Sequence, residues 1–352
     1  MSTCKEKPLV SVIIPVHNGG KELEKCLNAL KLSSYEPYEV VVVDDASTDR
    51  SSQIAEERGA TVFRLPTKSG PAAARNYGAR RARGEILVFI DSDVVVKSDT
   101  IERLASALKE NKDVAAVFGS YDDSPESPDF LSQFRNLFHH FIHQTSSKEA
   151  QTFWAGCGAI RRDVFLKLGG FDEARYPKAS IEDIELGLRL RRDGYRILLD
   201  KNTQVKHLKQ WKWVSWLKTD ILHRAIPWSR LIIESGSIPK DLNLKTSHRI
   251  SAMLTGAIIL VNLLIILGFL KETEFSLPSL FALLLVLIAA FVILNHRLYI
   301  FLLKKRGLFF AIRSIPLHFF YYLYSGISFV VCWILYKAFS RFRMKQTRYK
   351  IW

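Results

Sequence analysis

An apolar, β-branched run, Val10-Ser11-Val12-Ile13-Ile14, opens the chain; Pro15 stops it and His17-Asn18-Gly19-Gly20 turns it away. A short run bounded by turn residues predicts a buried strand ending in a loop. Leu23, Cys26, Leu27 and Leu30 then fall at helical spacing, and Glu39-Val40-Val41-Val42-Val43-Asp44-Asp45 supplies a second strand. The alternation continues with a helix over 50–57, a strand over 61–65, a helix over 72–81 and a strand over 86–90 that ends in Asp91-Ser92-Asp93. Near-continuous apolar strands alternating with helices predict an α/β fold, a mostly parallel twisted sheet with helices on both faces. Such sheets bind ligands at the carboxyl ends of their strands.

Beyond residue 249 the pattern changes to three uncharged apolar stretches, 250–270, 275–294 and 314–336, each of 20 residues or more. At 1.5 Å rise per residue, each is long enough to cross a hydrocarbon core of about 30 Å as a helix. The chain starts MSTCKEKP and enters its first strand without an apolar leader, so the part before residue 250 is expected to stay on the side where it is made. The loop Lys271-Glu272-Thr273-Glu274 is acidic on balance, whereas Arg297, Lys304, Lys305, Arg306 and Arg313 follow the second stretch. The positive-inside rule then puts 1–249 and 296–313 in the cytoplasm and 271–274 outside, with the chain in the cell inner membrane. Segment 296–307, with Leu298, Tyr299, Phe301, Leu302 and Leu303 beside its basic end, predicts a surface-lying helix on anionic membrane lipids. The third stretch, interrupted by Pro316, His318 and a run of tyrosines, spans or re-enters; a full crossing leaves the basic tail outside, against the rule. The expected organisation is a soluble domain over 1–230, a juxtamembrane linker over 231–249 and a membrane domain over 250–352.

Composition refines this picture. With 48% apolar and 24% charged residues the 352-residue chain is not a disordered one. Its net charge of +15 first suggests nucleic acid or anionic lipid, but residues 249–352 hold 13 Lys and Arg against Glu272 and Glu274, a net of +11, leaving +4 for residues 1–248. The basic excess therefore sits with the apolar stretches, which argues for lipid and against nucleic acid. Cys4, Cys26, Cys157 and Cys332 form no C-x-x-C pair, which argues against a zinc site or a disulfide framework.

The strand ends carry the candidate chemistry. One delivers Pro15, His17 and Asn18, the next Asp44 and Asp45, and a later one Asp91 and Asp93. Carboxylates gathered in one crevice repel each other unless a cation neutralises them, and Mg²⁺ or Mn²⁺ shared with a phosphate is the natural counter-charge. Each Asp taken alone also fits a turn or a helix cap. No G-x-G-x-x-G follows the first strand and no Walker-type loop occurs, which counts against dinucleotide and P-loop folds. Thr67-Lys68-Ser69-Gly70-Pro71 reads as a turn before a helix whose Arg75-Asn76 would offer a cation to a nucleotide-linked anion.

Taken in order, Val12-Ile13-Ile14-Pro15-Val16-His17-Asn18, Val42-Val43-Asp44-Asp45-Ala46-Ser47-Thr48-Asp49, Gly70-Pro71-Ala72-Ala73-Ala74-Arg75-Asn76, Asp91-Ser92-Asp93, Gly156-Cys157-Gly158-Ala159, Gly169-Gly170-Phe171-Asp172 and Ile181-Glu182-Asp183 resemble the inverting family 2 glycosyltransferases, which have the GT-A fold. The resemblance covers about residues 8–230 and makes that stretch a GT-A nucleotide-diphospho-sugar transferase domain followed by C-terminal transmembrane helices. It implies that Pro15, His17, Asn18, Asp44 and Asp45 hold the nucleotide base, and that Arg75, Asn76, Asp91 and Ser92 serve the rest of the nucleotide-sugar. Asp93, with Asp91 and His207, would hold Mg²⁺ or Mn²⁺, and Asp183 beside Glu182 would take the acceptor's proton. Gly156-Cys157-Gly158 would let backbone approach the donor sugar.

The chain departs from processive members, in which Gln-x-x-Arg-Trp follows the base; the corresponding segment here is His223-Arg224-Ala225-Ile226-Pro227-Trp228. Arg224 then meets the diphosphate and Trp228 an acceptor, or both belong to an interfacial belt with Trp211, Trp213 and Trp216. The expectation is transfer of a sugar, taken as UDP-linked, to a lipid or polyprenyl-phosphate acceptor in cell envelope polysaccharide or glycolipid biosynthesis. Two rivals are a nucleotidyltransferase and a membrane assembly or transport component that binds nucleotide-sugar without turnover.

Overall fold

The computed structural model describes residues 7–236, 241–271 and 277–348, without the side chains of 243, 271 and 340–348. The loop expected outside the membrane, 271–274, and the side chains of the tail beyond 339 fall outside what is described. The chain forms two compact units, 1–213 and 214–352.

In the first unit the elements run β1 (Val10–Val16), α1 (Gly20–Leu30), β2 (Tyr38–Asp44), α2 (Ser51–Glu57), β3 (Thr61–Arg64), α3 (Pro71–Arg81), β4 (Ile86–Ile90), β5 (Val94–Val95), α4 (Thr100–Glu110), β6 (Val114–Tyr121), α5 (Phe130–Thr145), β7 (Glu149–Ala150), β8 (Cys157–Arg161), α6 (Arg162–Lys167), α7 (Glu182–Arg192) and β9 (Arg196–His207). Among the described residues the sheet has nine strands in the order β3-β2-β1-β4-β8-β6-β9-β5, with β7 also on β9. The β3-β2-β1-β4 side is parallel, as the strand–helix alternation predicts. The sheet then reverses, since β8 is antiparallel to both β4 and β6, so it is mixed rather than mostly parallel. Hydrophobic pattern marks a buried strand but not its direction. Here the chain reaches β8 from β6 through α5 and β7, which returns it to the sheet the other way.

Both sheet faces are covered. Val12, Ile14, Leu23, Leu27 and Leu104 pack on one side, and Ile13, Phe89, Phe118, Phe165 and Leu186 on the other. The alternation of Val12, Ile13 and Ile14 between these clusters follows from the period-two geometry of a strand. One irregularity matters for the site. The register of β6 against β9 shifts between Phe118 and Ser120, and a Cβ on Gly119 would lie 2.3 Å from the Thr203 carbonyl oxygen. Bulges of this kind re-aim the side chains that follow.

The second unit continues with α8 (Trp213–Lys218), a π-helical turn over Thr219–Ala225, α9 (Ile226–Ser235), α10 (Thr246–Lys271), α11 (Leu277–Leu294), α12 (His296–Arg306) and α13 (Leu308–Arg348). Three helices, Thr246–Leu270, Leu277–Leu294 and Leu308–Phe339, are long and apolar enough to cross a membrane. The third stretch is thus part of one long helix that runs through Pro316. The segment expected to lie on the surface is the separate helix α12. Polar side chains tie these helices together: Asn295 bonds Ser251 at 2.9 Å, Tyr299 bonds His318 at 3.0 Å and His248 bonds Tyr322 at 2.6 Å.

Helix α7 packs against the backbone of the segment before β8, where a Cβ on Gly187 would lie 2.3 Å from Phe153 N and 2.6 Å from Thr152 C. Neither atom can move without moving the chain, so Gly187→Ala is expected to cost about 1–3 kcal/mol. A lowered denaturation midpoint of the purified full chain checks this.

Candidate active site

The carboxyl ends of β1, β2 and β4 meet above the sheet. Asn18, in the left-handed region at φ 52°, accepts from Thr48 N at 2.7 Å and Asp49 N at 3.3 Å, joining the loop after β1 to the loop after β2. His17 Nδ1 donates to the Asp45 carbonyl at 2.7 Å. Pro15 lies buried within β1, opposite Val43. Asp44 accepts from Ser47 N at 2.8 Å and from the Ser52 hydroxyl. Asp45 accepts from Ser69 N at 2.6 Å and Gly70 N at 2.8 Å. Both aspartates are buried and shape the loops, the turn-forming role that Asp residues after a strand also allow. Ser92 reaches the same place: its Oγ lies 3.7 Å from where a Cβ of Gly19 would stand.

Arg75 does something the sequence does not suggest. Only 5% exposed, it donates from Nη2 to Asp91 Oδ1 at 2.6 Å and from Nη1 to Glu182 Oε1 at 2.9 Å. Its charge is therefore engaged inside the protein, between the end of β4 and the start of α7, rather than offered to a nucleotide anion. The α3 segment can lie this deep because Ala72, Ala74, Gly78 and Ala79 are small. Asn76 is likewise occupied: it donates to the Phe171 carbonyl at 2.8 Å, accepts from Phe171 N at 2.9 Å and donates to Glu173 at 2.8 Å. It clamps the Gly169-Gly170-Phe171-Asp172 turn.

Glu182 and Asp183 begin α7, where the helix dipole favours negative charge. Glu182 also accepts from Ser180 N at 2.9 Å. Asp183 accepts from Ala155 N at 3.0 Å and from Ile184 N at 2.8 Å. Burial, with the Glu182 charge beside it, pushes the Asp183 carboxyl up to about 7, against the pull of those N–H groups and of Arg75. Asp91 and Glu182 thus share one guanidinium, with Asp183 next to Glu182 in the chain.

The loop between them is rigid. Asp91 N donates to the Gly156 carbonyl at 3.2 Å. Cβ atoms on Gly156 and Gly158 would lie 2.4 Å from the Trp154 ring and the Trp154 carbonyl oxygen, so the chain needs glycine at both. Cys157 is fully buried and burial pushes its thiol up to about 12, which rules it out as a nucleophile.

Asp93 and His207 face each other, with Oδ2 and Nε2 3.7 Å apart. They are brought together because Val94 pairs with His207 across β5 and β9. A carboxylate oxygen and an imidazole nitrogen so placed are donor types that would suit Mn²⁺ or Mg²⁺, with any further ligands drawn from substrate or solvent. Among the described residues no third His, Cys, Asp or Glu completes a protein-only cluster, and Asp91, expected as a ligand, turns to Arg75 instead. In the second unit Arg224 lies 3.5 Å from Asp220, a buried carboxylate that also accepts from Trp216 Nε1 at 2.9 Å and Tyr324 OH at 2.6 Å. Trp228 belongs to α9 of the same unit.

Ala155, Trp154 and Tyr121 border the site and went unread in the sequence. Ala155 acts through its backbone, which no side-chain pattern reveals. Trp154 stands two residues before Gly156 and was legible only as one more aromatic.

Residues 11–169 match glycosyl transferase family 2. The glycosyltransferase GlyG of Streptococcus pneumoniae is 36% identical over 124 residues, 34% of this chain and 41% of that protein. The probable glycosyltransferase YdaM of Bacillus subtilis is 29% identical over 211 residues, 55% of this chain and 49% of that protein. The chain thus spans about half the length of these curated relatives. Among solved structures, the mannosyltransferase PcManGT from Pyrobaculum calidifontis, in complex with GDP-Man and Mn²⁺, has a similar fold, with a TM-score of 0.65 at 21% identity over 93% of this chain and 88% of that one. The fold is of the GT-A type.

Removing the Arg75 charge would leave Asp91 and Glu182 without their shared partner. Arg75→Met is expected to lose about 3–5 kcal/mol of stability. Arg75→Lys, which lacks the planar fork, should recover only part of it. Denaturation midpoints of the two variants against the parent chain check both.

Proposed function

We propose that this chain, whose residues 11–169 match glycosyl transferase family 2, is a membrane-anchored inverting glycosyltransferase that moves a sugar from a nucleotide-sugar to a hydroxyl of a lipid-linked or other membrane-proximal acceptor. The observation that carries this reading is Asp183, a carboxylate held by two backbone N–H groups with its pKa raised to about 7. A base with that pKa is part ionised at neutral pH and strong enough to take a proton in the transition state. As the acceptor oxygen attacks the anomeric carbon, its proton passes to Asp183 and the bond to the nucleoside diphosphate breaks on the opposite face. One base suffices, because no covalent sugar intermediate forms.

The same cluster favours a hydroxyl over a polyprenyl phosphate as the nucleophile. A phosphate oxygen is already ionised and needs no base. It would also approach Asp91, Glu182 and Asp183, and the cation bonded to the first two, Arg75, is already engaged by them.

Asp93 and His207 would hold the divalent metal, which acts as a Lewis acid on the departing diphosphate. The presence of Mn²⁺ and GDP-Man in PcManGT supports a metal and a nucleotide-sugar here. The donor is taken as UDP-linked, with GDP-linked sugars as the first comparison. Arg297 and the basic end of α12 favour a cytoplasmic site at the inner membrane.

The test is release of nucleoside diphosphate by the full chain from a panel of UDP- and GDP-sugars, with Mn²⁺ or Mg²⁺ and extracted membrane lipid. One donor is expected to turn over, with release stimulated by lipid and stopped by chelator. Tight metal-dependent nucleotide binding with no release from any donor would sink the transferase reading in favour of a binding component.

Two further outcomes are expected for the active donor. Asp183→Asn should lower turnover by about 10²–10⁴-fold while leaving donor binding intact. The Asp183 base works only when ionised, so kcat/KM should rise with pH through about 7 and then level. A profile flat from pH 5 to 9 would exclude Asp183 as the base.

A further inference from the structure

Histidines that bind a metal usually donate their second ring N–H to a carboxylate, carbonyl or water, which fixes the ring. His207 is 7% exposed, and its Nε2 is the nitrogen that faces Asp93. Its ring also makes an aromatic contact. The Tyr121 ring lies parallel to the His207 imidazole, with centroids 4.1 Å apart and planes 13° from coplanar.

Tyr121 is itself held on several sides. Trp154 meets it edge to face at 4.9 Å and 83°, and His139 packs on it at 4.5 Å. Its carbonyl accepts from His140 Nδ1 at 2.8 Å, which ties the end of β6 to α5. In the sheet it pairs with Val205, two residues before His207. The register shift at Gly119 and Ser120 sets which residue of β6 stands beside His207.

We propose that Tyr121 is a positioning residue for the metal site, its flat face keeping the His207 imidazole turned so that Nε2 stays opposite Asp93. The proposal rests on the reading of Asp93 and His207 as the groups that hold the metal. Stacking orients the ring, the same kind of work that a hydrogen bond to the second ring nitrogen does at metal sites. The constraint is one of orientation: an imidazole free to rotate about its Cβ–Cγ bond would spend much of its time with Nε2 away from Asp93. Trp154, edge-on to Tyr121, precedes Ala155, the residue whose N–H holds Asp183, so the packing around Tyr121 continues toward the base.

The test is Mn²⁺ binding by the purified full chain, read from loss of the free Mn²⁺ spin-resonance signal, with Mn²⁺ alone and with UDP or GDP added in separate arms. Tyr121→Leu is expected to weaken Mn²⁺ about 10-fold or more, in the range seen when outer partners of a metal ligand are lost. Tyr121→Phe keeps the flat face and should stay within about twofold of the parent chain, since the stack is unchanged. Tyr121→Met fills the space without a flat face and serves where Tyr121→Leu does not fold; it should also weaken Mn²⁺.

His207→Ala supplies the control that a general packing defect would fail. In that background Tyr121→Leu should cause no further loss, because the two changes act through one ligand. Equal Mn²⁺ affinity in Tyr121→Leu and the parent chain overturns the proposal, as does a loss of the same size with and without His207. If His207→Ala itself leaves Mn²⁺ binding unchanged, the metal assignment fails, a distinct result because donor turnover is measured separately.

Discussion

A single buried guanidinium holds the site together. Arg75 comes from α3, Asp91 from the end of β4 and Glu182 from the start of α7, and the two bonds of 2.6 and 2.9 Å fix all three. A buried charge is tolerated only when it is paired and hydrogen-bonded, so the geometry of each segment limits the others. If α7 shifts, Arg75 loses Glu182. If the Asp91 turn moves, Arg75 loses its other partner. The raised basicity of Asp183 depends on the same arrangement, since burial and the neighbouring Glu182 carboxylate push it up while the Arg75 guanidinium pulls it back.

The parallel half of the sheet and its strand ends were legible in the sequence because apolar strands and intervening helices leave a strong periodic signal. Asp91 and Asp93 could be picked out in the same way, as polar residues just after an apolar strand, whereas Asp183 and His207 were indicated only by the family resemblance. The internal role of Arg75 was not legible. Its partners lie 16 and 107 residues away, and spacing along the chain does not show that a helix of alanines and glycine will bring it below the surface. β6 and α5, which set Tyr121 beside His207, were not assigned at all: Val114 to Tyr121 mixes alanine, glycine and serine with its few large apolar residues, which weakens any strand pattern.

The second unit shows a similar limit. Length and apolarity marked its three long helices, but they say nothing of what connects one helix to another. That is done by polar pairs at sparse positions: Asn295 with Ser251, Tyr299 with His318, His248 with Tyr322. Without water to compete, such pairs favour particular helix neighbours and registers more than they add to stability. The π-helical turn likewise lays Asp220 beside Trp216 and Tyr324, residues that a plain hydropathy count treats as unrelated.

Gly156, Gly158 and Gly187 lie where a single added methyl would run into Trp154, Phe153 or the backbone before them. Any side chain larger than glycine at these three positions therefore meets packed atoms at once. Nearly every first step a codon can take there fails sterically before any change in recognition could be selected. Change is sterically easier at the residues that border these glycines than at the glycines themselves.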